Sequence, residues 1–143
     1  MIEVVGRLGI VARVIKDSIS LDGHRFTTFE IEYPRMILSE ANTHRGLSKN
    51  SSSSRAIPYK RAIELIKNSP AIPVHWGLNK EGMSASEELS IEDQEKALQI
   101  WLETRDLVID QCDKLADIKL HKQVINRLCE PFYDEDCYLG YRI

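Results

Sequence analysis

The chain has 143 residues, the size of one domain, and can bury a core without disulfide or metal staples. Hydrophobic residues make up 43% and charged residues 29%, which excludes a disordered polyelectrolyte. No apolar run approaches the roughly 20 residues of a membrane-spanning helix, and a net charge of -3 argues against bulk binding to nucleic acid.

The opening segment, Met1 to Arg7, carries an early acid and no long apolar stretch, so it does not read as a signal peptide. Residues 3–16 mix Val4, Val5, Leu8, Ile10, Val11, Val14 and Ile15 with Gly6 and Gly9, and predict one β segment bent at the glycines. Residues 17–23 are turn-rich. From Phe26 to Tyr33 the pattern alternates, with Thr27, Phe29, Ile31 and Tyr33 on one face: a half-buried strand. Pro34 ends it and opens a helical stretch through Met36, Ile37, Glu40 and Ala41 toward His44.

Residues 46–56 show no apolar period and contain four consecutive serines, 51 to 54. A helix opening at Pro58 follows, with Ala62, Ile63, Leu65 and Ile66 as its apolar face. Residues 71–90 are rich in Pro, Gly and Ser, and are expected to cross the surface or line a site. Ser90, with Asp93 three residues on, reads as the N-cap of a long helix. Its stripe is Ile91, Leu98, Trp101, Leu102, Val108, Ile109, Cys112 and Leu115, interrupted by Arg105 as a snorkelling side chain. A shorter helix is expected over 119–129, ended by Pro131. Cys112, Cys129 and Cys137 are odd in number and lack metal-ligand spacing, so no metal site is expected and a reducing cytoplasm fits best.

Charge is unevenly spread. Between positions 35 and 61 stand Arg35, Arg45, Lys49, Arg55, Lys60 and Arg61 against Glu40 alone; from 130 on stand Glu130, Asp134, Glu135 and Asp136 against Arg142. A local positive zone on an acidic chain suits a small anion such as a phosphate group. The thirteen residues from Thr43 to Arg55 offer two guanidinium forks, an imidazole, a row of hydroxyls and many loop amides. Guanidinium binds phosphate through paired charge-assisted hydrogen bonds, and loop amides or the helix start at Pro58 can add donors. On the residues alone, a flexible serine-rich connector remains a second reading. Individually, His44 could cap or pack, Arg127 could complement a helix dipole, Glu40 could pair with Arg35 or His44, and Trp76 could be a core or rim aromatic.

The stretch resembles the signature of the flavin-dependent thymidylate synthases, Arg-His-Arg-x-x-Ser-x-Asn-x-x-Ser-x-Arg. His44, Arg45, Ser48, Asn50, Ser53 and Arg55 fall on it without a gap, while Thr43 replaces the first Arg. Thr28 to Pro34 is similar to the strand and proline leading into that signature. Asn126-Arg127-Leu128-Cys129-Glu130-Pro131 resembles the second motif, Ala-Arg-x-x-Leu-Pro, at Arg127 and Pro131. The Thr-His-Arg form, Ser-Ser-Arg-Ala-Ile-Pro, and His75-Trp76-Gly77 with Asn79, Gly82 and Met83 are similar to the phage-type branch.

The resemblance implies one α/β (α+β) domain over 1–143, with a small antiparallel or mixed sheet packed with a long helical segment. It implies FAD-dependent reductive methylation of dUMP to dTMP, with methylenetetrahydrofolate and NADPH as co-substrates. Residue by residue, it implies His44, Arg45, Asn50 and Ser51 at the flavin. Glu40, Ser51, Ser52, Ser53, Ser54 and Arg55 would hold dUMP. Arg127 would bind the uracil edge and favour its N3-deprotonated form, the catalytic contribution. It also implies a homo-oligomer with sites between subunits. Residues 133–143 do not match the expected continuation, so an incomplete C-terminus is expected. A non-catalytic relative that binds flavin or nucleotide phosphate, and a helical interaction protein built on 91–115, stay as alternatives.

Overall fold

A computed structural model describes residues 2–82 and 85–142, with 135–142 described by their backbone alone. Met83, quoted for the resemblance, and the thiol of Cys137 lie outside the described residues. The architecture is α+β, with a small antiparallel sheet and a long helix. Strands β1 (Ile2–Val5), β2 (Val11–Ile19), β3 (Arg25–Pro34), β4 (Leu47–Ser51) and β5 (Asp134–Arg142) form one sheet in the order β1-β2-β3-β5-β4. The helices are α1 (Leu38–Asn42), α2 (Tyr59–Asn68), α3 (Ile91–Asp117) and α4 (Lys122–Cys129).

The single bent segment expected over 3–16 is instead two antiparallel strands. Leu8 and Gly9 take positive φ angles of 50° and 86°, and this left-handed pair reverses the chain so that Val5 faces Val11. The alternation in β3 holds: Thr27 and Tyr33 are buried and Phe29 and Ile31 half-buried. On the opposite face, Arg13 gathers Glu3, Glu30 and Glu32, with Nη1 3.1 Å from Glu30 Oε2 and 2.5 Å from Glu32 Oε1. Cross-strand charge pairing of this kind fixes which face of the sheet turns outward.

Residues 46–56 are not an aperiodic loop throughout. Leu47 to Ser51 form β4, with Leu47, Lys49 and Ser51 half-buried and Ser48 and Asn50 exposed. Its hydrogen-bonded neighbour is β5, which pairs with β3 on its other side, Leu139 standing opposite both Phe29 and Lys49. The stretch read as an atypical tail therefore holds the signature strand to the rest of the sheet.

The larger core lies among the helices. Ala62 and Ile66 of α2, Cys112 of α3, and Ile125 and Cys129 of α4 meet Phe132 and Tyr133 there. The smaller one is Tyr33 with Phe29, Ile31, Leu38, Ala41 and Leu47, beneath α1. Ser90 caps α3 as expected, accepting from the Asp93 amide at 3.1 Å. Ile91 does not join the stripe but stands 78% exposed, because it precedes the first turn that packs. Arg105 lies on the half-buried side, paired with Asp106 at 2.7 Å. Lys119, at φ 62°, breaks the chain between α3 and α4, so the second helix begins at Lys122 and not at 119. Cys112 and Cys129 are free thiols 3.6 Å apart with no exposure, and desolvation pushes both above the ordinary thiol value. Among the described residues no helix is long and apolar enough to cross a membrane.

Residues 71–90 are tied to the helical core and to each other. Trp101 Nε1 donates to Ala71 O at 3.0 Å, its ring meets Phe132 edge-on at 5.2 Å, and Trp76 lies edge-on at 6.5 Å, a rim aromatic. The Leu78 amide donates to Glu87 O and the Leu89 amide to Trp76 O. Gly77 is required where it stands, since a Cβ there would lie 2.2 Å from Ala85 Cβ.

His75 closes this excursion between two acceptors, Nδ1 2.7 Å from Glu88 Oε1 and Nε2 3.1 Å from Ala85 O. A neutral imidazole donates once, so only the doubly protonated ring satisfies both. Glu88 first, then the Ala85 carbonyl, raise its pKa above 6.5. A pKa raised in the folded state makes the clasp complete below about 6.5 and loses it as pH climbs through the raised value. Exchange at the Leu78 and Leu89 amides, corrected for intrinsic rates, should therefore accelerate across that window. His75→Gln should flatten the dependence; a native profile already flat there would refute the charged clasp.

Candidate functional site

Two clefts flank the helical stretch that follows β3, and the 3.6-residue period of that stretch divides its side chains between them. On one side Ile37, Glu40, Ala41 and His44 face Ile31 and Tyr33 of β3 and Leu47 and Lys49 of β4, around a cleft of about 340 Å³. Its floor is apolar and its polar groups are few, the usual make-up of a small-molecule site. Ser39 Oγ donates to Glu40 Oε2 at 2.7 Å and holds that carboxyl below its ordinary value, hence ionised. Glu40 is thus engaged with Ser39, and among the described residues it pairs with neither Arg35 nor His44. Lys49 Nζ donates to Ala41 O, supplying a donor to one of the carbonyls that a helix end leaves open.

On the other side Arg35, Met36, Leu38, Ser39 and Asn42 line a cleft of about 520 Å³ with Arg127, Glu130 and Pro131. Arg127 Nη1 lies 3.1 Å from Glu130 Oε1 and 3.4 Å from Oε2, with its side chain 56% exposed. Arg35 Nη2 approaches the same carboxylate at 3.5 Å, and its Nη1 donates to Ser52 O at 3.4 Å.

The segment between β4 and α2 is stitched to α4. Ser54, 3% exposed, donates its hydroxyl to Glu130 Oε1 at 2.6 Å. Asn126, fully buried, donates from Nδ2 to Ser54 O at 2.7 Å and to Ile57 O at 2.9 Å. Lys122 Nζ reaches Ala56 O at 2.9 Å. Residues 72 positions apart in the chain are thereby neighbours.

The expected site residues divide accordingly. Glu40 and His44 share the apolar cleft, with Asn50 exposed and Ser51 half-buried on the adjoining edge strand. Ser52 and Ser54 line a small cavity beside Arg35 and Tyr133. Arg127 opens into the second cleft. Ser53, Arg45 and Arg55 are exposed, and among the described residues neither Arg45 nor Arg55 has a side-chain partner. One copy of the chain therefore does not bring Glu40 and His44 together with Arg127 in one pocket. Sequence reasoning missed Arg35 and Glu130 as site residues. The signal for both was weak: an arginine directly after the strand-ending proline, and an acid inside the second motif where the resembled pattern has leucine.

No family model matches the chain, and no curated protein does. Solved structures do. The fold is similar to that of PolB, a UMP/dUMP methylase from Streptomyces cacaoi, bound with 5-Br UMP. The TM-score is 0.72 at 14% identity, over 94% of this chain and 72% of that one. A second PolB structure, bound with 5-Br dUMP, gives a TM-score of 0.61 at 15% identity, over 82% of this chain and 49% of that one. At such identities the likeness is one of fold.

Proposed function

We propose that the chain binds a pyrimidine nucleoside monophosphate and methylates it, with dUMP as substrate in the manner of the flavin-dependent thymidylate synthases. The observation that carries this reading is the junction of the two resembled motifs: Ser54, on the segment after β4, contacts Asn126 and Glu130, which flank Arg127 on and just past α4. The likeness of fold to a UMP/dUMP methylase supports it.

In this reading Arg127 faces the pyrimidine, where a fixed cation stabilises negative charge developing on the ring. Arg55, the hydroxyls of Ser51, Ser52 and Ser53, and the uncapped amides at the start of α2 take the phosphate. Ser54 shapes the segment from within, since its hydroxyl is already given to Glu130. The cleft of Ile31, Tyr33, Ile37 and Leu47 suits a flat ring system such as isoalloxazine, with His44 and Glu40 at its polar edge. Its size admits the ring and not the whole of FAD, so Arg45, Asn50 and Ser51 would hold the remainder along the exposed edge. The flavin, when bound, supplies the hydride, drawn from NADPH, while methylenetetrahydrofolate supplies the carbon; the protein's part is to orient, exclude water and polarise. Because Glu40 and His44 lie across α1 from Arg127, this reading has a second copy of the chain complete the site, in a homo-oligomer.

The test is reconstitution with FAD, the visible spectrum, and calorimetric titration with dUMP and UMP. A yellow oligomer that binds dUMP and forms dTMP with both co-substrates is expected. Arg127→Ala should weaken dUMP by roughly 10- to 100-fold, the loss of a charge-assisted hydrogen bond. Binding without turnover would select the non-catalytic reading. A colourless protein indifferent to both nucleotides would refute the proposal.

A further inference from the structure

Among the described residues lining the second cleft, Glu130 supplies the one carboxylate, and the reading above gives it no part in holding base or phosphate. Its Oε1 accepts from Ser54 Oγ at 2.6 Å and Arg127 Nη1 at 3.1 Å, with Arg35 Nη2 at 3.5 Å; Oε2 is 3.4 Å from Arg127 Nη1. The carboxylate is 25% exposed and lies between two guanidinium groups, one only 13% exposed and the other 56% exposed. Two cations drawn to one cleft repel each other unless an anion stands between them.

A guanidinium carries five N–H donors in a rigid fork. Among the described residues only Nη1 of Arg127 is engaged, and it is engaged by Glu130 alone. One corner of the fork is therefore pinned while, among the described residues, the rest has no acceptor and can take one from a ligand. The same carboxylate pins Ser54, whose carbonyl is fixed in turn by Asn126. A single side chain thus sets the distance between the pinned guanidinium and the segment carrying Ser52 to Arg55.

We propose that Glu130 is a positioning residue of the nucleotide site, holding the Arg127 guanidinium and the Ser54 segment in mutual register so that base and phosphate are gripped together. This rests on the reading of the site given above. Glu130 touches neither base nor phosphate; it acts through Arg127 and Ser54. Fixing a rotamer-rich arginine before the ligand arrives removes an ordering cost that binding would otherwise meet.

The test uses the full chain and the variants Glu130→Gln, which keeps an acceptor for Ser54 but no charge, and Glu130→Leu, which keeps neither. The first arm needs no ligand: guanidinium ¹⁵N–¹H resonances, assigned with Arg127→Lys. Slowed rotation at Arg127 is expected in the native chain, partly released in Glu130→Gln and fully averaged in Glu130→Leu. The second arm is calorimetry with dUMP, where a loss of about threefold is expected for Glu130→Gln and tenfold or more for Glu130→Leu. An Arg127 signal unchanged by either variant overturns the proposal. So does a Glu130→Leu protein that melts earlier yet binds dUMP as tightly as native, which would make the residue a brace and nothing more. If Glu130→Leu does not fold, Glu130→Gln decides both arms. If the native chain does not bind dUMP, the nucleotide reading falls and the guanidinium signals alone decide Glu130.

Discussion

Leu139→Pro should strongly destabilise the sheet without unfolding the chain at 25 °C, because β5 is hydrogen-bonded on both sides, to Phe29 on β3 and Lys49 on β4. Proline removes a ladder N–H and its ring presses on the neighbouring backbone, which confines it to edge strands and bulges. The combined loss is about 3 kcal/mol or more, against a stability on the order of 5–15 kcal/mol for a domain of this kind. A melting temperature lower by roughly 6–12 °C follows from the usual scaling for this size. Leu139→Ala keeps the N–H and separates the backbone part from whatever the side chain contributes. The functional effect should exceed the thermal one. Among the described residues β4 pairs in the sheet with β5 alone, so loss of that ladder frees Lys49, Asn50 and Ser51 together. Circular dichroism melts and dUMP titration check both parts; a proline variant that melts with the alanine variant would remove β5 from the centre of the sheet.

That strand was the least legible element in the sequence, for a physical reason. Its opening acids and the lack of an expected continuation say little, and its place comes from pairing with partners about a hundred positions earlier in the chain. β4 was hidden in the same way, since Leu47-Ser48-Lys49-Asn50-Ser51 holds one apolar residue and owes its strand to β5. Local signals did better. Thr27, Phe29, Ile31 and Tyr33 marked β3 by alternation, and Ser90 with Asp93 marked the start of α3 by hydrogen bonds three residues apart. The site followed the same rule. Glu40 and His44 share a cleft because they stand four apart on one helical stretch, a spacing visible in the chain. That Glu130 would meet Ser54 and Arg35 was not visible, since the contact exists only once α4 lies against the segment after β4. Polar contacts between distant segments carry no periodicity, and those contacts fix the positions of the charged groups here.

Asn126 gives the sharpest test of that stitching. The residue has no exposure, and both of its amide hydrogens go to backbone carbonyls, those of Ser54 and Ile57. Asn126→Leu keeps the approximate shape and deletes both donors, leaving two carbonyls without partners in a region that excludes water. At about 1–3 kcal/mol for each orphaned group, a loss on the order of 3–5 kcal/mol is expected, independent of pH between 5 and 8. Asn126→Asp behaves differently. The new carboxylate would face two carbonyl oxygens with no solvent, so burial and repulsion together raise its pKa well above the value in the unfolded chain. The folded state then binds a proton that the unfolded state has released, and stability rises as pH falls. At pH 8 this variant should be the weaker of the two. Toward pH 5 it should recover, because the neutral acid can donate to one of the carbonyls. In both variants the segment from Ser54 to Ile57 slackens, and dUMP affinity should fall further than thermal stability alone predicts. Chemical denaturation at pH 5 and pH 8 reads the difference directly. If the two variants lose the same stability at both pH values, then the Asn126 amide does not hold the Ser54 segment, and the link between the two motifs must be sought elsewhere.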